Sequence, residues 1–87
     1  MAQQKVTRRG VYKDLTLSPY EYQTPYGDSF KFSSQKRLEI YTRDIQKEVD
    51  RLKKTLDRYN LADQIPDEIN VLIFRSLYRS FYRHVER

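Results

Sequence analysis

The chain has 87 residues, 38% hydrophobic and 33% charged, with a formal net charge of +5 from 17 basic and 12 acidic side chains. That length allows one small domain, which hides only about 60–65% of its unfolded surface on folding. The lack of cysteine excludes a disulfide framework or a thiolate metal site, and a single histidine, His84, leaves little for imidazole-based catalysis.

Residues 1–10, MAQQKVTRRG, show no apolar period and read as a basic tail carrying Lys5, Arg8 and Arg9. No run approaches the roughly 18 apolar residues of a membrane span, and the N-terminus has no apolar signal-peptide core. The expectation is a soluble, intracellular-type chain with no membrane contact.

Residues 11–87 are expected to form the domain. Val11 to Ser18 is a short approach segment whose Val11, Tyr12, Leu15 and Leu17 can touch a core. From Pro19, Tyr20 and Tyr22 alternate with polar residues at the strand period of two. The turn TPYGD follows, with Pro25 fixing φ and Gly27 able to take positive φ. Phe30 and Phe32 alternate in the next run. A β-hairpin over about residues 19–33 is predicted, its aromatics on one face.

Ser33 and Ser34 are good helix N-caps, and Leu38, Tyr41, Ile45, Val49, Leu52, Leu56 and Tyr59 then recur at steps of three and four. This predicts an amphipathic helix over about 34–60. Asn60–Asp67 breaks the pattern, and Pro66 suits the first turn of a second helix over about 66–86. Its predicted core face is Leu72, Phe74, Leu77, Phe81 and Val85. The expected fold is α+β: a hairpin followed by two antiparallel helices, ββαα.

Candidate chemistry is sparse. The two glycines, Gly10 and Gly27, form no phosphate loop. Acids on the first helix are interleaved with bases, as on a solvated face, and His84 reads as a solvated residue near a helix C-terminus. No catalytic, cofactor or metal residue is expected, and the chain is not read as an enzyme.

The sharpest pattern is Arg75, Arg79, Arg83 and Arg87, a row at steps of four on the second helix. Such a row can grip phosphates or carboxylates through planar guanidinium groups, or simply face solvent and complement the helix dipole. With Lys5, Arg8 and Arg9 it makes a candidate polyanion or partner contact. Tyr78 and Tyr82 flank the second helix's apolar face and are the candidate partner-facing aromatics. Eight tyrosines suit an interface, or equally a small core that needs amphipathic cover.

Residues 12–34 read Y-K-D-L-T-L-S-P-Y-E-Y, then G-D-S-F-K-F-S-S. They resemble a family of small, mostly uncharacterised tailed-phage proteins, with a Y-x-D-L-x-x-S-x-Y lead-in and a G-x-x-F-x-F-S-S strand entering a long helix. The matching residues are Tyr12, Asp14, Leu15, Ser18, Tyr20, Gly27, Phe30, Phe32, Ser33 and Ser34, with Leu77–Tyr78 later. The strand-to-helix junction is also similar to a small zinc-hairpin module, but serine stands where thiolate would be needed, so zinc is not implied. The chain departs from the family pattern by ending in arginines without a final strand.

The resemblance implies a non-catalytic phage protein in the virion or the host cytoplasm. The leading expectation is a virion or assembly component that docks on another phage or host protein by its aromatic surface and basic tail. The alternative is a small nucleic-acid-binding or host-takeover protein. Because the first helix carries five acids among eight bases, affinity for DNA or RNA is expected to be non-specific, about micromolar or poorer at physiological salt.

Overall fold

A computed structural model describes residues 14–86; the tail candidates Lys5, Arg8 and Arg9, together with Val11, Tyr12 and Arg87, lie outside the described residues. The elements follow in the expected order. A short 3₁₀ turn, Leu15–Leu17, leads into strands β1 (Glu21–Gln23) and β2 (Ser29–Lys31), then helices α1 (Gln35–Arg58) and α2 (Asp67–Glu86).

The strands pair antiparallel with Tyr22 opposite Phe30. The hairpin loop is built on Thr24, whose N–H donates to the Asp28 carbonyl (2.8 Å) while its hydroxyl accepts from the N–H groups of Tyr26 and Asp28. Gly27 sits at φ +92°, the one place in the turn where a side chain would be strained. Alternation then sends Tyr20, Tyr22, Phe30 and Phe32 to the inner face, as the pattern predicted. Ser18, buried before β1, donates to the carbonyl of Phe32 and ties the lead-in to the end of β2.

α1 starts where Ser34 accepts from the Arg37 N–H. It stops through Asn60, whose φ of 56° turns the chain into the left-handed region. The Leu61 N–H then reaches the Leu56 carbonyl (2.8 Å) and the Asn60 N–H the Asp57 carbonyl (3.1 Å), which closes the helix end. α2 opens on the Pro66 carbonyl, which accepts from Ile69 and Asn70, with Asp67 and Glu68 matching the positive end of the helix dipole.

The core is Phe32, Tyr41, Ile45, Val49, Leu56, Phe74 and Tyr78. The hairpin aromatics lie across one side of the helix pair: Tyr22 meets Tyr41 edge-on at 5.0 Å, Phe32 meets Tyr41 at 5.0 Å, and Phe30 stacks on Tyr82 at 4.7 Å. Two expectations need correction. Leu72 is 58% exposed, not core. Leu77, Phe81 and Val85 pack against the core but are only half-buried. The buried residues of α2 are instead Phe74 and Tyr78, because the hairpin covers a sector that a helix pair alone would leave open.

Candidate functional site

The three described arginines of the row on α2, Arg75, Arg79 and Arg83, do not share one environment. Each step of four advances about 40° round a helix, so a long row drifts from one neighbour to the next. Arg75, at the start, still faces the hairpin: its Nη2 donates to the Tyr26 carbonyl (2.8 Å), and its Nε lies 3.1 Å from Asp28 Oδ2. The second contact is a charge contact, since the Nε–H is not aligned for a hydrogen bond. Arg75 therefore clamps the β-turn and does not offer a free ligand. Arg79 and Arg83 have drifted into solvent and form no ion pair among the described residues.

The two candidate partner-facing tyrosines are also part of the fold. Tyr78 is 4% exposed, packed between Tyr22 and Tyr26, and its carbonyl accepts from the Tyr41 hydroxyl (3.0 Å). Tyr82 is half-buried and donates its hydroxyl to the Lys31 carbonyl (2.7 Å). The reason is positional: Tyr78 is one turn beyond Phe74 and shares its face. Burial raises the Tyr41 phenol well above its usual range, pushes Tyr78 up to about 12, and raises Tyr82 as well. Six of the eight tyrosines line or cover the core, so the aromatic surplus is structural. Tyr59, 62% exposed, is the one described tyrosine turned to solvent.

The structure also makes a pairing that the sequence reading did not foresee. The Glu86 carboxylate accepts from the Ser33 N–H (3.0 Å) and the Ser33 hydroxyl (2.6 Å), and Arg37 donates to the carbonyl of Val85 beside it. The last turn of α2 is thereby fastened to the first turn of α1. The lead-in motif has the same character. Asp14 caps the 3₁₀ turn, and its hydrogen bonds from the Thr16 hydroxyl and N–H hold its carboxyl below the usual carboxylate range. Asp14, Ser18, Gly27, Ser33 and Ser34 thus each have a conformational task.

What remains exposed is charge on α1. Lys36, Arg43, Lys47, Arg51, Lys54 and Arg58 are all exposed and follow one another at steps of three, four or seven. They form a ridge of about 33 Å at 1.5 Å per residue. Arg43 pairs with Asp44 (3.1 Å) and Arg51 with Glu48; Lys36, Lys47, Lys54 and Arg58 form no ion pair among the described residues. The i, i+3/i+4 spacing of these bases was visible in the sequence, beneath the stronger apolar stripe.

Beside the ridge, a groove of about 610 Å³ runs between the helices, lined by Ile40, Phe81 and Val85 with Lys36, Lys47 and His84 at its rim. A smaller depression of about 270 Å³, lined by Leu52, Leu77 and Thr55, continues the seam and shares Glu48 with it. Neither is lined by a hairpin strand residue. Among the described residues no cluster of histidine and carboxylate side chains is placed to hold a metal, and no helix is long and apolar enough to cross a membrane. No protein-family model, curated protein or solved structure matches the chain.

Proposed function

We propose that this is a non-catalytic docking protein, an assembly component of a phage particle, that engages a protein neighbour through its helix pair. The observation that supports the reading is the asymmetry of the fold. The hairpin covers one side of α1 and α2, and the other side keeps half-buried Ile40, Leu52, Leu77 and Phe81 along an open seam. A domain this small gains stability by burying such a seam against a partner. The docking surface is thus moved from the tyrosines, which the core absorbs, to the helix seam. The phage context rests on the resemblance of residues 12–34.

The test is stoichiometry: a tagged copy made during particle assembly should sediment with particles in a fixed ratio to a structural protein. Loss from particles at moderate salt, with recovery in a nucleic-acid fraction, would favour the second reading, a nucleic-acid binder. The α1 ridge and exposed Arg79 and Arg83 speak for that alternative. Against it, Glu39, Asp50 and Asp57 lie on the same helix within a short arc of the ridge and weaken its field.

A further inference from the structure

The open seam has unequal walls. Its floor is apolar, from Ile40 and Phe81 at one end to Leu52 and Leu77 at the other. The α1 wall is the basic ridge. From α2 the seam is lined by Leu77, Phe81, His84 and Val85, with neither acid nor lysine or arginine among them. The two acids in the seam, Asp44 and Glu48, are already held by Arg43 and Arg51. An apolar trough between two helices, with unpaired cations along one edge only, fits an amphipathic helix laid in the groove.

We infer that the seam between α1 and α2 binds an acidic amphipathic helix of a partner protein, completing a three-helix layer beneath the hairpin. The occupant places apolar residues at i, i+3, i+4 and i+7 on the floor and a row of glutamate or aspartate against Lys36 and Lys47. This rests on reading the chain as a docking protein. The charges argue against other occupants. The chain's own first 13 residues contain Lys5, Arg8, Arg9 and Lys13 and no acid, so they would bring like charge to the ridge. A second copy offers no unpaired acid from the residues that line the groove, since Asp44 and Glu48 are already held. A nucleic acid would have no use for the apolar floor, and the phosphates would meet the uncharged α2 wall.

The probe is a fluorescein-labelled 20-residue helical peptide with leucine at i, i+3, i+4 and i+7 and glutamate along one flank, read by anisotropy with the full chain. Its twin carries lysine in place of glutamate. The acidic peptide should bind at least about tenfold more tightly than the twin, an electrostatic preference that weakens with salt. Lys36→Glu with Lys47→Glu, both on exposed positions, should abolish that preference without moving the melting temperature. Ile40→Glu should remove binding of both peptides.

Equal affinity for the two peptides, or no binding of either, overturns the inference. So does sedimentation showing a dimer that Ile40→Glu dissolves, tighter peptide binding after deletion of residues 1–13, or displacement of the peptide by duplex DNA at physiological salt. These outcomes assign the seam to a second copy, to the N-terminal segment or to nucleic acid. A chain that enters particles in fixed ratio yet ignores the acidic peptide defeats this inference and leaves the docking reading intact.

Discussion

Ser33 gives both its backbone N–H and its hydroxyl to the carboxylate of Glu86, 53 residues further along the chain. The Glu86 side chain is only 13% exposed, so little water is there to replace it. One carboxylate thus satisfies a buried serine and joins the end of the hairpin to the end of α2.

Removing that carboxylate should be costly for a side chain so near the terminus. Glu86→Ala leaves the Ser33 N–H and hydroxyl without partners, and a loss of about 1–3 kcal/mol is expected. Glu86→Gln keeps one acceptor and should lose less. Urea denaturation of the two variants checks the order; an alanine variant as stable as the parent would show that water replaces the carboxylate.

Core truncations should rank by burial, not by size. Phe32 is fully buried, and Phe32→Ala is expected to cost about 3–5 kcal/mol. Phe81 is half-buried at the rim of the seam, so Phe81→Ala should cost clearly less. Thermal melts of the pair decide it, and a Phe81 variant that melts lower than the Phe32 variant would contradict this placement of the core.

The arginines of α2 should separate into two kinds. Arg75→Gln removes the donor to Tyr26 and the charge facing Asp28, and about 1 kcal/mol of stability should go with them. Arg79→Gln and Arg83→Gln should stay within about 0.5 kcal/mol of the parent. Equal effects for all three in chemical denaturation would rule out the clamp.

Stability should fall in alkali. Tyr78 titrates at about 12 in the folded chain, and Tyr41 and Tyr82 are also raised, against 10.0 for an unburied phenol. The unfolded chain therefore releases these protons first. The contribution is complete below about pH 10 and is lost as pH climbs through the folded values, by up to about 1.4 kcal/mol per pH unit for each proton. Tyr41→Phe removes one titrating group and should flatten the decline. The melting temperature between pH 9 and 12, with phenolate absorbance, measures both; a flat profile in that window would contradict the burial of the phenols.

The hairpin and both helices were legible because each rests on local signals: Pro25 and Gly27 for the turn, Ser34 for the start of α1, and Pro66 with Asp67 and Glu68 for the start of α2. The site was not. Exposure on α2 depends on what covers each sector, and the hairpin's coverage cannot be read from the helix's own period. Tyr78 and Arg75 look peripheral beside Leu72 and Leu77, yet the hairpin turns both inward and leaves Leu72 in solvent. The Ser33–Glu86 pair joins positions too far apart for any spacing rule. The α1 ridge, by contrast, obeys a local rule; it was hidden because the acids between its members balance most of its charge.

The hairpin and the Ser33–Glu86 link hold the helix pair at one end only. At the other end the helices are joined by the turn at Asn60, and Tyr59, Leu61, Ile69 and Leu72 gather there with 37–62% of their surface in water. Near the turn the helices are held by fewer buried side chains, Leu56 with partly buried Ala62 and Ile65, than at the end where the chain's distant parts meet. Spreading costs least at Leu61 and most at Ser33, so backbone amides should exchange with solvent along a gradient, fastest beside the turn. The seam is thus softest toward the Asn60 turn and stiffest beside the aromatic core.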